Sequence, residues 1–221
     1  MSAVSDRDRT KEFFHGYAGG FNSIYSNKNT PINTLINTLF RKSMRLRFEK
    51  TLAGCDPIQG KTVLDIGCGP GHYSVELARR GAERVVGVDF AEGMIAIAQQ
   101  QAEAAGVTDR CEFSVRDFHT FPADQPFDYT IVMGFMDYVA DAVDLVEKVL
   151  RLTRGKAFFS FPRSGGLLAW QRQLRYKSRC ELYLYSRDKV ESIFANFPEV
   201  RTTIEPIARD FFVTATMPER A

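Results

Sequence analysis

"VLDIGCGPGHYSVELARRGAERVVGVDF", running from Val63 to Phe90, decides how this chain folds. An apolar run leads into Gly67, Gly69 and Gly71, an amphipathic stretch closes at Gly81, and a second apolar run ends in Asp89. The order reads strand, bare turn, helix, strand. Glycine admits backbone angles closed to other residues and lets a ligand approach without meeting a Cβ. Asp89 ends the second strand, where a carboxylate can accept both hydroxyls of a ribose. The dinucleotide fingerprint wants a third glycine where His72 stands, so the turn suits an adenosine cofactor without a pyrophosphate. Asp65, two residues before Gly67, falls at the strand end near a cationic group.

Outward from this stretch the pattern repeats. Further β-rich runs are "CEFSVRD" (111–117), "FDYTIVM" (127–133) and "KAFFSF" (156–161), and helical stretches occupy the gaps. Strands separated by helices of this length imply crossover units and a parallel sheet covered on both faces. "SRDKVESIFANF" predicts a last helix capped by Ser186, followed closely by "VRTTIEPI" and "DFFVTATM". The expected fold is α/β, a Rossmann-like doubly wound sheet of seven strands, mostly parallel with an antiparallel last strand.

Two segments are extra to that core. Residues 1–54 predict a helical lid, with an aromatic-rich helix over 12–25 and a longer one entered at Thr30 and Pro31. The domain proper would span 55–221, with an insertion at 163–180, "RSGGLLAWQRQLRYKSRC" between Arg163 and Cys180. Both extras would lie over the carboxyl ends of the strands, where open α/β sheets bind ligands.

The bulk numbers exclude several classes. At 221 residues, 44% hydrophobic and 25% charged, the chain can bury one sizeable core. A net charge of +2 supplies no strong field for nucleic acid, and no such partner is expected. Cys55, Cys68, Cys111 and Cys180 are scattered, which fits neither a disulfide framework nor a metal site. The charged start "MSAVSDRDRTKEFFHGY" lacks a signal peptide's apolar stretch and no apolar run approaches membrane-spanning length, so the expected location is the cytoplasm.

On "VLDIGCGPG", "GVDFAEGM" and "VRDF", the chain resembles the class I S-adenosylmethionine-dependent methyltransferases over about residues 60–217. The resemblance implies that Gly67, Cys68, Gly69 and Gly71 pass under the methionine half of the cofactor, with Asp65 near its ammonium. It implies that Asp89 holds the ribose, that Phe90 and Met94 pack on the adenine, that Asp117 accepts its amino group with Phe118 alongside, and that Met133 presents its backbone to the methionine moiety. "FFHGYAGGFNSIY" (13–25) is similar to the lid helix of small-molecule methyltransferases, in which a tyrosine at the place of Tyr17 reaches the cofactor carboxylate. More distantly the layout resembles magnesium-protoporphyrin O-methyltransferases, with Asp137-Tyr138 where that family places an Ile-His pair.

Methyl transfer from a sulfonium mainly requires donor and acceptor to be brought together with water excluded; a base is needed only where the acceptor loses a proton. Candidate groups are Asp137 and Tyr138 after the fourth strand, and His15 in the lid; His72, His119, Tyr25 and Arg163 are weaker candidates. "MGFMDY" stands where amino-methyltransferases carry an Asn/Asp-Pro-Pro-aromatic run, which disfavours nucleobase amines. The expected partner is a small-molecule acceptor, methylated at oxygen, with weak membrane-surface contact through 163–180 as a further option. Two other readings stay open: a nicotinamide-dependent oxidoreductase, and a protein that holds the cofactor without transferring its methyl group.

Overall fold

The computed structural model describes residues 31–122, 125–165 and 182–219. The aromatic helix expected over 12–25 and most of the 163–180 insertion therefore lie outside the described residues. Helix α1 (Pro31–Gly54) comes first, starting at the proline whose fixed φ suits an opening helical turn. Then follow β1 (Thr62–Ile66), α2 (His72–Arg79), β2 (Arg84–Asp89), α3 (Glu92–Ala104), β3 (Cys111–Val115), β4 (Phe127–Val132), α4 (Ala142–Arg151), β5 (Thr153–Pro162), α5 (Arg187–Phe194), β6 (Arg201–Ile207) and β7 (Asp210–Thr216).

The strands form one seven-stranded sheet in the order β3-β2-β1-β4-β5-β7-β6. β7 runs antiparallel to both its neighbours, and the other pairings are parallel. β1, β2 and β4 are covered on both faces and buried along most of their length. β6, at the sheet edge, alternates exposed and half-buried positions over its first five residues instead. Ser186 caps α5 as expected, its Oγ accepting the Lys189 N–H at 3.1 Å.

Two apolar layers sandwich the sheet. Leu145, Val149, Ile193 and Phe194 from α4 and α5 close one face over Phe159 and Phe161. Leu52, Leu77, Ala78 and Ala102 from α1, α2 and α3 close the other over Phe158 and Phe212. The alternation of Phe158 with Phe159 and Phe161 is the two-residue period of a strand feeding both layers. α1 is pinned at its end, where Lys156 Nζ donates to the Gly54 carbonyl at 3.0 Å.

The structure moves some expected boundaries. β5 starts at Thr153 rather than 156, because Gly155 lets the strand approach the Asp128 carbonyl, which a Cβ would meet at 2.8 Å. β3 ends at Val115, short of the expected 117, because the Asp117 side chain turns to accept the His119 N–H at 3.0 Å. The crossovers reverse direction between β1 and β4, and the carboxyl ends of these strands make the crevice where doubly wound sheets take their ligands.

Candidate functional site

The glycine turn leaves β1 and hooks immediately onto β2. Both Gly67 N–H (2.8 Å) and Cys68 N–H (3.1 Å) donate to the Val88 carbonyl, Gly71 N–H donates to the Cys68 carbonyl at 3.0 Å, and Gly69 N–H donates to Asp89 Oδ2 at 3.0 Å. Pro70 has no N–H. The amide donors of the turn are thus engaged within the protein. A phosphate-binding loop works the other way, aiming free N–H groups at an anion. The turn offers a ligand bare surface and space, as an adenosine cofactor without a pyrophosphate requires.

Two of the glycines serve different ends. Gly69 has φ of +52°, and a Cβ there would meet nothing within 4 Å, so it faces open space. At Gly71, φ +79°, a Cβ would lie 2.9 Å from Ala98 Cβ and 3.2 Å from Phe113. Gly71 therefore performs the close packing of helix on sheet and neighbouring helix that the dinucleotide fingerprint assigns one position later. His72 is left exposed on the first turn of α2.

An open cleft of about 1070 Å³ runs past this turn. Asp65, Gly67, Cys68, Gly69 and Met133 line it, joined by His72 and Tyr73 of α2 and by Met44, Arg47 and Phe48 of α1. Its volume lies at the upper end of the usual range for small-molecule sites.

Asp65 is 2% exposed, and its Oδ2 accepts the Ser74 hydroxyl at 2.6 Å. Burial pushes its carboxyl up to about 7; the neighbouring charge of Asp89 adds to this, while the Ser74 hydroxyl and N–H oppose it. Asp89 accepts Gly69 N–H on Oδ2 and Ala91 N–H on Oδ1, at 3.0 and 2.9 Å. Burial raises its carboxyl too, against the pull of those backbone donors. Phe90 N–H is a third backbone donor to this carboxylate. Cys68 is 6% exposed and burial pushes its thiol far up, which leaves it an inert thiol whose place in the site is steric.

Arg47 was not anticipated from the sequence. It comes from α1, its Nη1 donates to Ser160 Oγ at 3.2 Å, and its Nε is buried with no hydrogen-bond partner among the described residues. Tyr73 was missed as well; its ring packs on Phe48, centroids 5.2 Å apart. No local signal singles out Arg47 among Arg41, Lys42, Arg45 and Lys50 of the same helix.

Several expected site residues stand elsewhere. Phe90 is half-buried and Asp117 half-buried beyond the turn, along the carboxyl ends of β2 and β3, outside the cleft lining. Met94 is 4% exposed and keeps almost no free surface. Phe118 is corrected: at 2% exposure it belongs to the core, ring centroid 6.1 Å from Phe121 and capped by Lys148 Nζ at 4.9 Å, so it offers no free face to a purine. Asp137 is corrected as a group facing the acceptor. It is 3% exposed inside the loop after β4, and its backbone carbonyl accepts Tyr183 N–H at 2.9 Å. Tyr138, half-buried in the same loop, does not line the cleft. Arg163 lies over the Phe211 ring at 5.2 Å, also away from the cleft, and His119 is exposed. His15, Tyr17 and Tyr25 lie outside the described residues. Among the described residues there is no cluster able to hold a metal ion, and no helix long and apolar enough to cross a membrane.

The chain is similar to known methyltransferases. Residues 58–192 match the family model described as a methyltransferase domain. A ubiquinone biosynthesis O-methyltransferase from Paracidovorax citrulli is 34% identical over 111 residues, 48% of this chain and 46% of that protein. The enzyme of that name from Roseobacter denitrificans is 36% identical over 97 residues, 44% and 38% of the two chains. The match thus spans less than half the length of these curated relatives. Among solved structures, magnesium protoporphyrin IX methyltransferase from Synechocystis with bound S-adenosylhomocysteine superposes with a TM-score of 0.74 at 19% identity, covering 97% of this chain and 100% of that one. Geranyl diphosphate C-methyltransferase from Streptomyces coelicolor reaches 0.65 at 16% identity, covering 79% and 76%. These two likenesses are of fold.

Two measurements check the site. Gly69→Ala should fold with a melting temperature within a few degrees of the parent, since its Cβ enters open space and only the positive φ costs about 1 kcal/mol, yet should lose S-adenosylhomocysteine binding. Gly71→Ala should lower the melting temperature more, because Ala98 must move. Secondly, an ammonium pairs only with ionised Asp65. Affinity for S-adenosylhomocysteine should therefore climb as pH rises through about 7, with proton release on binding. In Asp65→Asn the step at that pH should vanish, leaving only any contribution from Asp89; calorimetry from pH 5.5 to 8.5 reads both.

Proposed function

Since the chain belongs to the class I S-adenosylmethionine-dependent methyltransferases, we propose that its acceptor is a small molecule methylated at oxygen. The observation carrying this reading is the cleft, which has room for a second ligand beside the cofactor's amino-acid end and whose walls include Met44, Phe48, Tyr73 and Met133. Such walls suit an apolar or aromatic acceptor. The curated relatives are named as O-methyltransferases, and the loop after β4 lacks the Pro-Pro run that holds an amino group.

S-adenosylmethionine supplies a methyl group already activated by its sulfonium. The chain's own residues then bind, orient and exclude water. Asp89 takes the ribose hydroxyls, and the open face at Gly69 admits the nucleoside. Asp65 neutralises the ammonium, and Arg47, whose buried Nε lacks a partner, takes the carboxylate. The backbone at Met133 borders the methionine end, with Phe90 and Asp117 further along towards the adenine. Holding donor and acceptor in line in a water-poor cleft is the principal catalytic contribution.

The test supplies methyl-labelled donor with phenolic, carboxylic and aromatic amine acceptors of similar size. The reading expects label in an alkali-stable aryl ether or an alkali-labile ester, depending on which oxygen reacts. Label confined to the amine would overturn methylation at oxygen.

A further inference from the structure

We propose that Asp210 and Ser160 are positioning residues that preset Arg47 for the cofactor's carboxylate, making the docking of α1 and recognition of the amino-acid end one device. This rests on the reading of Arg47 just given.

Arg47 reaches the cleft from a helix outside the sheet, on a long flexible stem. A guanidinium that must meet a carboxylate from there needs its orientation set beforehand. Two strands supply it. Asp210 opens β7, is 4% exposed, and its Oδ2 accepts the hydroxyl of Ser43, one helical turn before Arg47. Arg47 Nε lies 3.8 Å from that same oxygen. Ser160, 1% exposed on β5, takes Arg47 Nη1 at 3.2 Å and the Gly134 N–H at 2.8 Å on its Oγ.

The distances separate two jobs. At 3.8 Å Asp210 balances the charge of Arg47 without closing its Nε donor, since a hydrogen bond needs about 3 Å. The donor stays buried and unpartnered, which costs free energy until an acceptor arrives. Burial opposes ionisation of the Tyr73 hydroxyl, Arg47 favours it, and Asp65 and Asp210 oppose it; Asp65, Arg47 and Tyr73 line the same cleft, which therefore borders groups suited to an ammonium and to a carboxylate. Gly134 continues the loop after Met133, so Ser160 ties the same guanidinium to the main chain that borders the methionine end.

The test compares two ligands by calorimetry: S-adenosylhomocysteine, which has the amino-acid end, and methylthioadenosine, which lacks it. Their affinity ratio reads Arg47's contact. Asp210→Asn keeps the shape and an acceptor for Ser43; it should weaken S-adenosylhomocysteine about tenfold and leave methylthioadenosine unchanged, with Asp210→Glu restoring part of the ratio. Arg47→Gln should collapse the ratio further. If Arg47→Gln lowers the ratio and Asp210→Asn does not, positioning by Asp210 is wrong while Arg47 keeps its role. If Arg47→Gln leaves the ratio intact, the reading of Arg47 fails and this inference with it. A rise in Asp210→Asn would mean that Asp210 competes with the ligand, which also overturns the proposal, as would equal weakening of both ligands. Should Asp210→Asn not fold, Ser160→Ala carries the same ratio test, with a fall expected and an unchanged ratio overturning its half of the proposal.

Discussion

The carboxylate of Asp89 holds two amides at once, Gly69 N–H on one oxygen and Ala91 N–H on the other. One end of this brace is the turn that follows β1, and the other is the loop that starts α3. Without it the glycine turn would be anchored to β2 through the Val88 carbonyl alone. The brace also decides what can bind. It uses up the Gly69 donor and puts negative charge beside the turn, conditions that repel a phosphate and welcome hydroxyl and ammonium donors.

The same logic extends to Asp65, a second carboxylate under the turn. It accepts the Ser74 hydroxyl near the start of α2, where the helix dipole favours a negative charge. Burial nevertheless leaves this carboxyl titrating near neutrality, so in the free protein the charge is only partly formed. A cationic ligand completes what the fold alone leaves unbalanced. Arg47 of α1 lines the same cleft as Asp65, with Asp210 beside it, so groups of both signs border the space left for a ligand.

How much of this could be seen in the sequence follows from how local each signal is. β1 and β2 were legible because strands covered on both faces are mostly apolar and bounded by glycine or charge. The turn and Asp89 were legible because they are consecutive pieces of one crossover unit. The start of β5 was hidden by Gly155, which looks like a turn residue and here lets a strand close on its neighbour. Phe118 looked like a purine plane because it adjoins Asp117, but α4 seals it into the core through Lys148. Asp137 looked available because it follows β4; its burial depends on the chain near Tyr183, far along the sequence. Arg47 was out of reach for the same reason, since its partners Ser160 and Asp210 come from β5 and β7.

The central claim is that the turn at 67–71 receives a nucleoside carrying an amino acid and no pyrophosphate. Isothermal titration of the wild-type chain with S-adenosylhomocysteine, alongside NADH, tests it most directly. The account predicts saturable one-to-one binding of the first and no binding of the second; tight NADH binding with no heat from S-adenosylhomocysteine would contradict it.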